Sequence, residues 1–218
     1  MVLKYGDKEL AVICTIPMTS PNTGDPDSPS DVPDSPSAHL KDVDPGAWYH
    51  EYIDYVMEKG LMNGVSETEF APGLTTTRAM IVTILHRLEG KPAVSDASPF
   101  DDVAAGQWYA DAVIWANQNG IVKGYGDGRF GPGDNITREQ FAAIMYRYSE
   151  YKGYDVSKAA DLSGYEDLSS VSAYALPAMK WANAEGLISG RTATTLVPRG
   201  EATRAEAAAI LKRFMTGE

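Results

Sequence analysis

Three stretches of the chain place apolar side chains at i, i+3, i+4 and i+7, the spacing of one helix face. They are Ile81, Ile84, Leu85, Leu88; Phe141, Ile144, Met145, Tyr148; and Ala207, Ile210, Leu211, Phe214. A threonine precedes each stretch, so helices are predicted to begin at Thr77, Thr137 and Thr203. Thr137-Arg138-Glu139-Gln140 and Thr203-Arg204-Ala205-Glu206 have the form of a capping box. Thr77-Arg78-Ala79-Met80 lacks the third-position acid or amide, which leaves the start of that helix less well fixed. Earlier helices are predicted over 47–59, 107–119 and 173–185, with stripes such as Trp108, Ala112, Trp115 and Ala116. Gly60, Gly120 and Gly186 fall where those helices would be capped. The loop that follows reads, in its second version, as a tight turn from Gly124 to Phe130 between two very short strands.

These elements are three copies of one unit. Copy one has Trp48, Gly60, Gly64, Phe70, Pro72 and Arg78; copy two has Trp108, Gly120, Gly124, Phe130, Pro132 and Arg138. Copy three has Tyr174, Gly186, Gly190, Leu196, Pro198 and Arg204, and the steps are 12, 4, 6, 2 and 6 residues in every copy. An acidic-apolar pair opens each copy, at Asp42-Val43, Asp102-Val103 and Asp167-Leu168. One helix-loop-helix unit cannot cover its own apolar stripe, whereas three packed around a common axis can. The expected fold is therefore mainly α: a pseudo-threefold helical bundle of three helix-loop-helix repeats, at 40–90, 99–151 and 162–216. Ahead of it, residues 1–18 read as a β-hairpin tail of an upstream domain, with Val2 to Tyr5 and Glu9 to Ile16 as its strands. Residues 19–39, rich in Pro, Ser and Asp, read as an extended linker.

Composition narrows the function. With 19 Lys and Arg against 30 Asp and Glu, the net charge is −11, which argues against nucleic acid or an anionic membrane surface as partner. No apolar run approaches the roughly 20 residues needed to cross a bilayer, and the first residues lack a signal-peptide pattern. The single cysteine, Cys14, provides neither a disulfide framework nor a metal site. His39 falls in the linker and His86 reads as a helix-surface residue; no nucleophile set, metal-spaced cluster or phosphate loop is present. Asp127-Gly128 and Asp134-Asn135 are read as turns, because the order of a calcium loop is missing. No catalysis, metal or cofactor is expected.

The repeated arginine is the residue that folding explains least. A helix N-terminus carries partial positive charge, so Arg in the first turn is unfavourable there by about 0.3–1 kcal/mol. In one reading Arg78, Arg138 and Arg204 pair internally, for example with Asp42, Asp102 and Asp167. In the other, the guanidinium and free helix N–H groups converge on an external carboxylate or phosphate. Trp48 and Trp108 are similarly open to two roles, as core or as platforms for a sugar ring beside a glycine-rich loop.

Phe100-Asp101-Asp102-Val103, Trp108 to Val113, Gly120 to Tyr125, Phe130-Gly131-Pro132 and Ile136-Thr137-Arg138-Glu139 resemble an S-layer homology repeat, and the resemblance covers about residues 40–216. It implies a three-pronged bundle with grooves between repeats. It also implies non-covalent anchoring to secondary cell-wall polysaccharide on a Gram-positive-type bacterium, through a terminal pyruvylated N-acetylmannosamine. Arg78, Arg138 and Arg204 match the family's ligand-reading arginine, and Gly64, Gly124 and Gly190 its groove glycine. Asp42, Asp102 and Asp167 match its opening acid, and Trp48 and Trp108 its groove aromatic. Copy three departs with Tyr174, and Ser189 and Asn63 stand where copy two has Lys123. Copy two, with Asp102, Trp108, Lys123, Gly124 and Arg138, is the expected principal groove contributor. Self-association in a surface layer, or an enzyme domain carried upstream, are the alternative roles.

Overall fold

The computed structural model describes residues 2–5, 8–11, 35–95 and 97–217. Strands β1 (Val2–Tyr5) and β2 (Lys8–Ala11) pair antiparallel, with Val2 opposite Ala11 and Tyr5 opposite Lys8. The expected continuation of the second strand to Ile16, and residues 19–34 of the linker expected over 19–39, lie outside the described residues. Residues 35–39 are not extended but form a turn held by Asp54, which accepts from Ser35 Oγ at 2.6 Å and from the Ser37 N–H at 2.9 Å.

Six α-helices and one turn of 3-10 helix, Leu168–Ser170, make up the rest of the regular structure among the described residues. The first repeat contributes α1 (His50–Glu58) and α2 (Arg78–Leu88), and the second α3 (Ala110–Gln118) and α4 (Arg138–Tyr151). The third contributes α5 (Leu176–Ala184) and α6 (Arg204–Thr216). The apolar pattern placed the start of α1, α3 and α5 one turn too early. That turn is non-helical, closed by bonds such as His50 N–H to the Ala47 carbonyl at 3.1 Å and Ala110 N–H to the Gln107 carbonyl at 3.0 Å. It carries Trp48, Trp108 and Tyr174 out of the helices. At the other end Gly60, Gly120 and Gly186 adopt φ of 64°, 72° and 72°, the left-handed conformation that lets the next residue bond back. Leu61, Ile121 and Leu187 then donate to Val56, Ala116 and Ala182 at 2.8 Å each.

The helices pair between repeats. α2 packs on α3, α4 on α5, and α6 closes the circle on α1. Where the chain passes the centre, Thr76 N–H donates to the Ala202 carbonyl at 2.9 Å, Ala202 to Ile136 at 2.9 Å, and Ile136 to Thr76 at 2.8 Å. This closed triangle of backbone bonds marks the pseudo-threefold axis. Around it the core repeats itself: Ile53, Val113 and Met179 from the first helices, Ile81, Phe141 and Ala207 from the second, and Phe70, Phe130 and Leu196 from the loops are all fully buried. Burying such side chains stabilises by roughly 1.5–3 kcal/mol each for the larger ones, and only the assembled ring buries all of them.

Two details depart from expectation. The loop from Gly124 to Phe130 forms no strands; one bond, Tyr125 N–H to the Arg129 carbonyl at 2.9 Å, closes it as a turn. His86 is not a surface residue. It is buried between α2 and α3, with Nε2 2.9 Å from the Pro92 carbonyl and its ring 5.4 Å from that of Trp115.

Candidate functional site

Each opening acid fixes its own repeat. Asp42 accepts from the N–H groups of Phe70 and Ala71 at 2.8 and 2.6 Å, Asp102 from Phe130 and Gly131 at 2.8 Å each, and Asp167 from Leu196 and Val197 at 2.8 and 2.7 Å. Burial pushes the Asp102 and Asp167 carboxyls up, but these N–H donors outweigh it and hold both below the ordinary carboxylate range. The expected pairs between these acids and the arginines of the same repeat do not form. None of the three acids lines a groove, and their carboxylates are taken up in holding the loop.

The N-termini of α2, α4 and α6 are also closed to an external anion. The first two N–H groups of α2 donate to the carbonyls of Asp134 and Pro132, those of α4 to Gly200 and Pro198, and those of α6 to Leu74 and Pro72, at 2.8–3.2 Å. Thr77, Thr137 and Thr203 accept the next N–H, at 3.2–3.3 Å. Every acceptor beyond the threonine belongs to the following repeat. The orphan donors of each helix thus become the joints of the ring, and the expected convergence of free helix N–H groups on a ligand is not present.

The arginine side chains cross the same joints. Arg78, Arg138 and Arg204 are 6%, 5% and 7% exposed. Their Nε groups donate to the carbonyls of Phe130, Leu196 and Phe70 at 2.9, 3.1 and 2.8 Å. A second bond runs from Arg204 Nη2 to the Asn63 carbonyl at 2.6 Å and from Arg138 Nη2 to the Ser189 carbonyl. Arg78 lies 4.7 Å from the ring centres of both Tyr125 and Phe130, and Arg204 4.4 Å from that of Phe70. Burial pushes all three guanidinium pKa values down, but an arginine keeps its charge. Folding therefore does explain a large part of this residue: leaving the helix axis for the neighbour's carbonyls removes the electrostatic conflict seen in the sequence.

What remains of each guanidinium faces a groove, and each groove is built from three repeats. Groove I, about 230 Å³, sets Arg204 of repeat three beside Asn63 and α2 of repeat one, with Trp108 of repeat two across it. Groove II, about 370 Å³, sets Arg78 beside Lys123, Gly124 and α4, with Tyr174 across it. Groove III, about 310 Å³, sets Arg138 beside Ser189, Gly190 and α6, with Trp48 across it. The aromatics are not core: Trp48, Trp108 and Tyr174 are 59%, 61% and 53% exposed. Copy two accordingly contributes to all three grooves rather than to one of its own. Its Lys123 and Gly124 go to groove II, its Arg138 to groove III and its Trp108 to groove I.

The glycines are demanded by the loops. A Cβ on Gly64 would lie 2.7 Å from the Ser66 carbonyl oxygen, on Gly124 2.5 Å from the Phe100 ring, and on Gly190 2.7 Å from the Tyr165 ring. Gly124 and Gly190 line their grooves.

A second arginine was legible but overlooked. Arg87, Arg147 and Arg213 follow Arg78, Arg138 and Arg204 by nine residues in every copy. They line grooves I, II and III respectively. Each groove therefore offers at least two guanidinium groups, one from the preceding repeat and one from its own second helix, facing an exposed aromatic, and groove III adds Arg191. That is a combination suited to an anionic sugar.

A sequence model of the S-layer homology domain matches residues 39–79, 99–142 and 164–208. Similar proteins include an endoglucanase from Bacillus sp. (strain KSM-635), 33% identical over 200 residues that make up 92% of this chain and 20% of that protein. The surface-layer 125 kDa protein of Lysinibacillus sphaericus is 31% identical over 84% of the chain and 15% of its own length. Exoglucanase XynX of Acetivibrio thermocellus is 31% identical over 75% of the chain and 15% of its own length. The chain thus corresponds to a fifth or less of these relatives.

Proposed function

The chain belongs to the S-layer homology domain family, in three tandem repeats, and we propose that it binds secondary cell-wall polysaccharide through a pyruvylated amino-sugar terminus. Modules of this family anchor surface proteins at the cell wall, and the three repeats are an extracellular, wall-associated module rather than a catalytic one. In the proposed complex the pyruvate carboxylate lies between the two arginines of a groove, and the sugar ring lies against Trp108, Tyr174 or Trp48. Gly124 and Gly190 keep the groove floor low. Lys123 adds a third cation to groove II. Asp42, Asp102 and Asp167 position the loops without touching the ligand.

The observation that carries this reading is the threefold recurrence of two guanidinium groups and an exposed aromatic around one concavity. Carboxylate recognition supplies charge and ring contact supplies shape. The cargo is proposed from the relatives: a surface-layer protein, or a glycan-degrading enzyme such as the endoglucanase, with its catalytic part outside the region that this chain matches.

Binding of the three-repeat protein to purified wall polysaccharide, with its pyruvate intact or removed, tests the reading. Arg147→Ala and Lys123→Ala are the informative variants, because both side chains line groove II and neither forms a hydrogen bond or ion pair among the described residues, so that loss of binding is not confused with loss of folding. Strong binding that falls with either variant and with pyruvate removal is expected. Equal binding to the stripped polysaccharide would refute the carboxylate mechanism, and binding only between copies of the protein would favour lattice assembly.

A further inference from the structure

We infer that groove III is closed to carboxylates by a side chain of its own, Glu206, so that the chain has two anion-reading grooves rather than three. The inference rests on the carboxylate reading proposed above. Glu206 Oε1 lies 3.3 Å from Arg138 Nη1 and 3.1 Å from Arg191 Nε. Its Oε2 accepts from Arg191 Nη2 at 3.0 Å and from the Thr203 N–H at 2.9 Å. The carboxylate is therefore saturated, and it sits on the guanidinium that a ligand carboxylate would need.

Formal charge does not separate the grooves. Grooves II and III each have three cationic side chains and one acid among their lining residues. The pairing does separate them. In groove II the acid is Glu139, whose two oxygens accept from the Ser172 N–H and Oγ at 2.9 and 2.8 Å. Neither Arg78 nor Arg147 forms an ion pair among the described residues. Groove I has no acidic lining residue at all. The position occupied by Glu206 is Met80 in repeat one and Gln140 in repeat two, and the position of Arg191 is Val65 and Tyr125. A clamp of acid and arginine therefore exists in repeat three alone. An incoming anion there must displace Glu206 or lie against a like charge, and either lowers affinity.

The swap is structurally mild, because Gln140 already completes a capping box at the equivalent place in α4. Titration calorimetry of the three-repeat protein with a soluble N-acetylmannosamine glycoside bearing a pyruvate ketal gives the site count, and arginine Nε NMR signals give the sites. Wild type is expected to bind two equivalents, moving the signals of Arg78 and Arg204 but not Arg138. Glu206→Gln should bind three, with Arg138 now responding. Gln140→Glu should bind one, with Arg78 silent. Three equal sites in the wild type, or an Arg138 signal that stays unmoved in Glu206→Gln, would overturn the inference while leaving the carboxylate reading intact. No binding at any arginine in any variant would overturn both.

Discussion

Arg204→Ala separates the structural share of the repeated arginine from its ligand share. The side chain joins repeat three to repeat one through bonds of 2.8 Å to the Phe70 carbonyl and 2.6 Å to the Asn63 carbonyl, with its guanidinium stacked 4.4 Å from the Phe70 ring. Hydrogen bonds to a charged group are worth about 1.5–3 kcal/mol each, so the pair amounts to roughly 3–6 kcal/mol. That is a large fraction of the roughly 5–15 kcal/mol that holds a domain folded. At about 2–4 °C per kcal/mol for a domain of this size, the melting temperature should fall on the order of 10 °C. Arg204→Lys should fall in between, since an ammonium retains the charge but cannot span both carbonyls as a planar fork does. Thermal unfolding followed by circular dichroism, without ligand, reads both. A shift below ~3 °C for Arg204→Ala would refute the reasoning, because a guanidinium so dispensable to the fold cannot be a joint of the ring.

Three further outcomes follow from the same geometry. Gly124→Ala should destabilise by about 2–4 kcal/mol, because it adds a Cβ at φ +65° into the Phe100 ring, whereas Gly60→Ala, at φ +64° in open space, should cost only about 1 kcal/mol; denaturant melts compare them. Asp102 and Asp167 have carboxyls lowered on folding, so the stability they give is present above the unfolded carboxylate value and is lost as pH falls through the folded one; chemical denaturation at a series of pH values should show a loss below about pH 4 that is shallower in Asp102→Asn. Trp108→Ala should leave stability within about 0.5 kcal/mol, since the side chain is exposed, yet weaken polysaccharide binding by about 3–10-fold, measured by calorimetry.

Periodicity and spacing within one repeat were sufficient to read the architecture. The stripe of Phe141, Ile144, Met145 and Tyr148 fixes α4, and Thr137 with Gln140 fixes its start, because these signals are local. The loop conformation was not legible, since Gly124 is positioned by contacts with Phe100 and Arg129, which are far from it in sequence or belong to a turn without a strong signal. The joints were least legible. Nothing near Arg78 in the chain indicates that its guanidinium binds the Phe130 carbonyl 52 residues away, so pairing with an acid of its own repeat looked as plausible. His86 failed for the same reason: its apolar surroundings come from α3. Arg87, Arg147 and Arg213 were readable from recurrence alone, nine residues after Arg78, Arg138 and Arg204 in every copy.

The ring geometry ties binding to folding more closely than a row of independent repeats would. A groove needs an arginine from the repeat before, a loop and helix from its own repeat, and an aromatic from the repeat after. The arginine that faces the ligand is also the one that holds the joint, and the helix end beside it is capped by the neighbour's proline carbonyl. One repeat alone has no partner for its helix N–H groups, no cover for its apolar stripe and no complete groove. The third repeat closes all of these at once, through Arg204 and the α6–α1 contact. Triplication therefore does more than multiply a site: with fewer copies, neither the fold nor any groove is complete. Once the ring is closed, its three grooves are free to diverge, because positions such as Met80, Gln140 and Glu206 face the grooves while the joints beside them stay the same.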